Sequence, residues 1–219
     1  MFIIGIDDSG RGPLIGPMIL AGVLVTKEQE EILKKNNVKD SKVLTQSTRE
    51  RLSEIIKKNV LDYKILVTHP LEIDESLSSG VNLNELEAKR SAEIINFLNK
   101  GDKEIKAIID CPSPNKIHWQ GVLKKYLTDS KNLKLSCEHK ADANHVSASA
   151  ASILAKVTRE EEISILKKKY GDFGSGYPSD PKTISFLKEK GKELRNSGLF
   201  RKSWSTWKKL FPIDKQSIL

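Results

Sequence analysis

Cysteine, histidine and aromatic residues are scarce in this chain of 219 residues, which has two cysteines, four histidines and an aromatic content of 6%. The cysteines, Cys111 and Cys137, do not form a Cys-x-x-Cys pair and the histidines are not paired, so the sequence offers no zinc site of the usual spacing. A structural disulfide is not expected either. We interpret both cysteines as small, inert, buried side chains.

Long apolar segments are also missing. No stretch reaches the roughly 18 residues of a membrane-spanning helix, and the first residues read as a strand, without a basic segment that precedes a hydrophobic one. Internal repeats and low-complexity tracts are absent. These absences predict a cytoplasmic protein, and the length allows one good core with a small appended element.

Positive charge is in excess, with a formal net charge of +8 and a pI near 9.3. This balance favours a polyanionic partner such as nucleic acid, although a basic enzyme from a thermophile would have a similar composition. The lysine runs are dispersed, and we interpret each as a solvated helix face. Only the surface around the acidic residues described next is expected to bind the phosphate backbone of a nucleic acid.

Two adjacent carboxylates, Asp7 and Asp8, end the first apolar run of the chain, residues 2–6. The run is rich in β-branched residues and predicts a buried central strand. Taken alone, such a pair is more often a solvated turn than a site. At the tip of a buried strand, however, the two carboxylates repel each other, and burial raises their pKa values unless a cation neutralises them.

Two later segments repeat this arrangement. Asp110 ends the apolar run 105–109, and Asp142 follows the strand-like run 133–137 where a helical segment, about 143–169, begins. Strand ends that lie side by side in a sheet would bring all four aspartates together. An oxygen-only cluster suits Mg²⁺ or Mn²⁺, so the sequence predicts a site for one of these metals.

The hydrophobic pattern predicts an α/β domain with five strands. The second strand follows a short turn and is expected to be antiparallel to the first, whereas the last two are each reached through a helix and are expected to be parallel. The predicted strands are residues 2–6, 18–25, 63–68, 105–109 and 133–137. Helices are predicted over 27–35, 47–58, 82–99, 115–127 and 143–169, from Pro181 onward, and within 200–211. The helix at 47 is assigned a capping box of Ser47 and Glu50, and Trp204 and Trp207 are interpreted as core anchors.

The segment Asp7-Asp8-Ser9-Gly10-Arg11-Gly12-Pro13 resembles the Asp-Glu-Ala-Gly-Arg-Gly-Pro signature of type 2 ribonucleases H, the ribonuclease HII family. Further matches follow in the family's order and span about residues 1–181. They are the segments 40–44, 109–110, 140–142, 150–156 and 174–181. The overall length and the Asn-Leu-Asn-Glu-Leu-Glu segment at 82–87 look more like archaeal members.

This resemblance implies a ribonuclease H-like fold, a mixed five-stranded sheet flanked by helices, over residues 1–165. A helical C-terminal extension, residues 166–219, is expected to pack on this catalytic domain. The implied activity is that of a monomeric endoribonuclease that hydrolyses the RNA strand of RNA/DNA hybrids and nicks duplex DNA 5′ of single ribonucleotides, leaving 3′-hydroxyl and 5′-phosphate ends. Two ions, Mg²⁺ or Mn²⁺, are implied, with Asp7 bridging them and Asp8, Asp110 and Asp142 completing the catalytic cluster.

The resemblance also implies a substrate-binding set. The Gly-Arg-Gly segment would sense the ribose 2′-OH, because glycines let the backbone approach a sugar closely and Arg11 adds a fork of donors. Tyr177 would stack on the adjacent deoxyribose and so select an RNA-to-DNA junction, and two lysines would contact phosphates. The full set is Gly10, Arg11, Gly12, Lys42, Lys140 and Tyr177.

The chain departs from the family at Asp8, where glutamate is usual. Aspartate is one methylene shorter, which changes either the metal spacing or the contact with the substrate sugar. His139 and His145 flank Asp142, and we interpret them as surface or structural residues in preference to proton-transfer groups.

Two other functions share some of these sequence features. A haloacid-dehalogenase-type phosphatase also carries an aspartate at the end of its first strand, but it needs a second aspartate two positions later, where this chain has Ser9. A catalytically weak nucleic-acid-binding module on the same fold is the remaining alternative, and the presence of all four carboxylates argues against it. A sliding clamp is a weakly supported partner, because the terminal residues 216–219 resemble only the start of a clamp-binding peptide and lack its aromatic pair.

Overall fold

Five strands form one mixed sheet in the part of the chain that the computed structural model describes, residues 2–38, 44–101 and 103–212. The strands are β1 (Phe2–Ser9), β2 (Met18–Val25), β3 (Asp62–Thr68), β4 (Ile105–Asp110) and β5 (Leu133–Glu138). They lie in the order β3-β2-β1-β4-β5. β2 is antiparallel to β1 and to β3, whereas β4 is parallel to β1 and to β5. The mixed five-stranded α/β sheet predicted from the sequence is confirmed.

Helices cover both faces of this sheet. They are α1 (Lys27–Lys35), α2 (Gln46–Asn59), α3 (Pro70–Ser78), α4 (Leu83–Leu98), α5 (Lys116–Lys124), α6 (Ala141–Asn144), α7 (Val146–Tyr170), α8 (Pro181–Lys190) and α9 (Ser205–Leu210). The capping box assigned to Ser47 and Glu50 is wrong. Thr45 is the N-cap of α2 and its hydroxyl accepts the Thr48 N–H at 3.3 Å, so the helix begins one residue before Ser47. The single helix expected over 143–169 is interrupted, because His145 has an extended backbone between α6 and α7.

Successive side chains of a strand point to opposite faces of the sheet, and β1 follows this rule. Ile4 and Ile6 pack with α4 and α5 in one core cluster, whereas Ile3 packs with α7 in the other. Gly5 points toward α7, where a Cβ atom would lie 2.1 Å from the carbonyl carbon of Ser147. This close approach brings the first turns of α7 against the end of β1.

A third core cluster joins the C-terminal region to the loop that follows β1. It consists of Leu14, Ile15, Phe173, Leu187, Leu199, Phe200 and Trp207. Ile15 and Phe200 also form an isolated β-bridge. A division of the chain after residue 165 remains a prediction, and α7 runs across that point to Tyr170. Within the described ranges, no helix has the length and apolar character required to cross a membrane.

Candidate active site

Three predicted aspartates meet at one edge of the sheet. Asp7 and Asp110 lie at the ends of the parallel neighbours β1 and β4, whose preceding residues Ile6 and Ile109 are paired. Asp142 lies in α6, directly after β5, and the Ala141 N–H donates to Asp110 Oδ1 at 3.1 Å. Among the described residues, one carboxylate oxygen from each aspartate lies within 4.8 Å of the other two.

The electrostatics of this cluster fit a divalent cation. Asp7 is only 5% exposed, and burial, followed by the charge of Asp8, raises its pKa well above the ordinary range, although a hydrogen bond from Ser152 partly opposes the shift. Asp110 adds further repulsion. Three clustered oxygen ligands without thiolate or imidazole suit a hard cation, which would remove the repulsion that otherwise disfavours ionisation.

Asp8 stands beside the cluster of three aspartates. Because neighbouring strand residues face opposite sides of the sheet, Asp8 points toward α4, whereas Asp7 points toward α7. Burial, followed by the charge of Glu87, raises the pKa of Asp8 to about 7, although the charge of Arg11 partly opposes the shift. The sequence predicts one group of four aspartates; the structure brings together Asp7, Asp110 and Asp142 and directs Asp8 into an adjoining cavity.

The Gly-Arg-Gly loop begins immediately after β1. Gly10 has φ +82°, and a Cβ atom there would lie 2.4 Å from Arg159 Nε and 2.9 Å from the Pro17 carbonyl oxygen, so only glycine fits. Arg11 turns its donors toward α4: Nε donates to Glu87 Oε2 at 2.9 Å, and Nη2 donates to Asn84 Oδ1 at 2.7 Å. Much of the donor fork expected to face the substrate is therefore engaged within the protein.

The C-terminal segment holds the other side of this loop. The guanidinium of Arg201, which is fully buried, donates to the carbonyl oxygens of Gly10 at 2.6 Å, Arg11 at 2.8 Å and Gly16 at 3.0 Å. Trp204 Nε1 donates to the Gly12 carbonyl oxygen at 3.0 Å. Burial lowers the pKa of Arg201 to about 9, so the guanidinium remains charged at neutral pH.

Asp74 anchors the segment that carries these donors. Its carboxylate accepts the N–H groups of Lys202 at 2.7 Å and Ser203 at 2.9 Å. Sequence reasoning missed Arg201, and it assigned Trp204 to core packing, which the structure shows, but missed the bond from Trp204 to the loop. Their only local signal is the basic and aromatic run at 200–204, which does not reveal a partner near residue 10.

Tyr177 lies against the same loop with 38% of its surface exposed. A Cβ atom on Gly12 would lie 3.5 Å from Tyr177 Cε1, and the Arg159 guanidinium carbon is 5.6 Å from the centre of the tyrosine ring. Arg159 Nε and Nη2 are buried and have no hydrogen-bond partner among the described residues. Sequence reasoning missed Arg159, which lies one turn after Lys156 on α7.

The remaining predicted residues lie at the periphery. Lys140 is exposed and has φ +58° at the N-cap of α6, two residues before Asp142. Lys42 lies outside the described residues. His139 Nδ1 is 3.0 Å from the Cys111 carbonyl oxygen, and His145 Nε2 is 2.8 Å from Glu138 Oε2. Both histidines thus have structural partners, consistent with the interpretation from the sequence.

A mixed sheet with carboxylates at the ends of β1 and β4 and directly after β5 defines a metal-dependent nuclease of the ribonuclease H-like class. The family model described as Ribonuclease HII matches residues 4–207. Ribonuclease HII of Methanocaldococcus jannaschii is 41% identical, with 100% of this chain and 99% of the relative covered. The chain belongs to the ribonuclease HII family, and it is a metal-dependent endoribonuclease that acts on RNA/DNA substrates.

Two solved archaeal structures share the fold. The crystal structure of ribonuclease H2 from Pyrococcus horikoshii has a TM-score of 0.86 and 38% identity, with 96% of this chain and 97% of that chain covered. Ribonuclease HII from Archaeoglobus fulgidus, solved in a complex with PCNA, has a TM-score of 0.81 and 39% identity, with coverages of 93% and 95%. The resemblance to the archaeal family stated from the sequence is confirmed.

Proposed function

We propose that this protein nicks duplex DNA on the 5′ side of a single embedded ribonucleotide, and degrades the RNA strand of RNA/DNA hybrids, as a monomer with two Mg²⁺ or Mn²⁺ ions. The products would carry 3′-hydroxyl and 5′-phosphate ends. The observation that carries the proposal is that the aspartate cluster and the Gly-Arg-Gly loop follow each other directly along one strand end. A site that holds cations thereby adjoins backbone that a sugar can approach.

The carboxylates have distinct roles in this proposal. Asp7 would bridge the two ions, Asp110 and Asp142 would complete the cluster on the α7 side, and Asp8 would contribute from the α4 side. Two divalent ions supply a nucleophile from water at neutral pH and stabilise negative charge on the attacking and leaving oxygens. The chain itself keeps these carboxylates close together and partly desolvated, an arrangement that would favour bound cations.

The Gly-Arg-Gly loop is suited to contact a sugar because the C-terminal segment binds the carbonyl oxygens on its opposite side. Arg201 and Trp204 bind the carbonyl oxygens of residues 10, 11 and 12, so the amide side of the loop remains for the ribose 2′-OH. The extension proposed for residues 166–219 thus supports the specificity loop.

Phosphate contacts would surround the site. Lys140 is exposed next to the cluster, and Arg159 has two buried donors without a partner among the described residues beside Tyr177. Such a guanidinium is suited to bind a backbone phosphate. Lys42 is retained as a proposed phosphate contact, although it lies outside the described residues.

The direct test uses a DNA duplex with one ribonucleotide, incubated with Mg²⁺ or with Mn²⁺. We expect a single nick on the 5′ side of the ribonucleotide, with end groups that a DNA ligase and a phosphatase assay identify. The same duplex made entirely of DNA is the control and should stay intact. Binding without cutting under every divalent-ion condition would favour the alternative, a nucleic-acid-binding module.

Replacement of Tyr177 by alanine should reduce cleavage at an isolated ribonucleotide more than binding to plain duplex. Stacking losses of about 1–3 kcal/mol per base are typical, and a sugar contact should lie near the lower end, which corresponds to about a fivefold to tenfold loss. Single-turnover rates on junction and all-RNA hybrid substrates measure this. Tyr63→Ala, which removes a tyrosine of similar exposure on β3, is the control. Equal losses on both substrates would mean that Tyr177 only supports its loop.

The Asp8→Glu variant should need less Mg²⁺ for half-maximal cleavage than the wild type. Mg²⁺ demands near-ideal octahedral geometry, whereas Mn²⁺ tolerates distorted oxygen sites better, so the shorter aspartate should make the wild type the more Mn²⁺-dependent protein. Titrations of cleavage rate with both ions compare the two proteins. Superimposable curves would show that the site has adapted to aspartate.

A sliding clamp is the partner that the Archaeoglobus complex with PCNA suggests for this chain. The candidate contact, residues 216–219, lies outside the described residues. Co-elution with an archaeal clamp, compared between the full chain and a variant that ends at residue 212, tests the assignment. Equal co-elution of both proteins would place the contact elsewhere.

A further inference from the structure

Glu87 is a fifth acidic side chain at the site, contributed by α4. It is 2% exposed, and its Oε2 accepts the Arg11 Nε–H at 2.9 Å. Its other oxygen, Oε1, is buried and has no hydrogen-bond partner among the described residues. A buried carboxylate with one unsatisfied oxygen costs stability, unless a further group binds to it.

The unsatisfied oxygen belongs to a residue that lines the cavity beside Asp8. This cavity has a volume of about 10 Å³, which is close to the space of one water molecule. Four of the lining residues are acidic, namely Asp7, Asp8, Asp110 and Glu87. Four carboxyl groups around one small space repel one another, and such an arrangement favours a cation.

We propose that Glu87 is an additional carboxylate of the cation site, which also ties Arg11 of the Gly-Arg-Gly loop to the acidic cluster. The inference rests on the proposed function. One oxygen of Glu87 holds Arg11, and the other remains for the cation site.

A role as the counterion of Arg11 alone does not account for these features. The Arg11 side chain is 38% exposed and also donates to Asn84, so a partner at the protein surface would neutralise it at lower desolvation cost. Glu87 is instead buried among like charges. Its placement is explained if the second oxygen serves the cation site.

The test is the Glu87→Gln variant, which keeps the size of the side chain and one oxygen acceptor for Arg11 but removes the charge. Mn²⁺ binding without nucleic acid, measured by isothermal titration calorimetry, should weaken about fivefold to tenfold. The thermal midpoint without metal should stay the same or rise, because a buried charge among like charges is removed. Glu85→Gln on the same helix, whose carboxylate binds the Tyr126 hydroxyl, is the matched control and should bind Mn²⁺ like the wild type.

A second background tests whether Glu87 and the side chain at position 8 share one cation site. In the Asp8→Glu protein, the longer side chain should supply part of what Glu87 supplies, so Glu87→Gln should then change Mn²⁺ affinity less than twofold. An equal loss in both backgrounds would mean that the two side chains do not share a site, and it would overturn the assignment of Glu87 to the cavity beside Asp8. If Glu87→Gln lowered the thermal midpoint but left Mn²⁺ binding unchanged, Glu87 would only hold Arg11. If the wild type itself bound no Mn²⁺, the proposed function would fail, and this inference with it.

Discussion

The Asp7→Asn variant is expected to lose at least about 1,000-fold in cleavage rate, equivalent to about 4 kcal/mol of transition-state stabilisation, while it still binds nucleic acid. Asparagine has nearly the same size but lacks the charge that the proposed metal site requires. Binding should persist because Asp7 contributes no phosphate donor. Single-turnover cleavage and electrophoretic mobility shifts of a duplex with one ribonucleotide measure the two quantities.

The same substitution should stabilise the metal-free protein. Burial and neighbouring charges raise the pKa of Asp7 in the folded state, so its ionised form costs folding free energy at neutral pH, and asparagine removes that cost. The thermal midpoint without metal should rise, and the increase that Mn²⁺ produces should shrink. Asp129→Asn, in the exposed loop before β5, is the control. Normal cleavage by Asp7→Asn would show that the metal assignment is wrong.

The Arg201→Lys variant should lose stability and substrate discrimination together. Lysine is a point charge that cannot donate to three carbonyl oxygens in a fork, and each buried carbonyl left unsatisfied costs about 1–3 kcal/mol. For a chain of this size we expect a fall in thermal midpoint of about 5–15 °C. Cleavage at a single ribonucleotide should fall about 10-fold to 100-fold, because small displacements at a reacting centre have effects of this order.

A loss of activity must be separated from a loss of folding. Rates should therefore be compared at a temperature at which both proteins are fully folded, and Mn²⁺ binding should be normal because the aspartates lie on strands and α6. Arg195→Lys, an exposed position of the same C-terminal segment, is the control. Unchanged cleavage by folded Arg201→Lys would limit Arg201 to a structural role.

The sheet could be predicted because its signals are local. The run Met18–Val25 is apolar throughout and follows a short turn, and β4 and β5 each follow a helix, so strand direction follows from connection length. The errors in the predicted helices also concern short segments. A break at His145 leaves little trace in a sequence that stays favourable for helix on both sides, and α3 was not predicted, although Pro70 lies in its first turn.

The site could be predicted only in part. The proximity of Asp7, Asp110 and Asp142 follows from strand ends that share an edge, and the opposite direction of Asp8 follows from strand alternation. Glu87 and Arg201 carry no comparable signal. Glu87 lies in a helical segment where a glutamate is ordinary, and Arg201 meets Arg11 across 190 positions of the chain. Only tertiary contacts reveal them.

The distance of 190 positions along the chain between Arg11 and Arg201 has a consequence for biosynthesis. The strands and the helix that carry the aspartates are complete once residue 144 has been added, but the loop at 10–16 receives its donors only after Arg201 and Trp204 leave the ribosome. A nascent chain therefore contains all three clustered aspartates before it contains the donors that hold the loop at 10–16. If the proposed function is correct, selective activity should require the finished polypeptide, whereas cation binding should not.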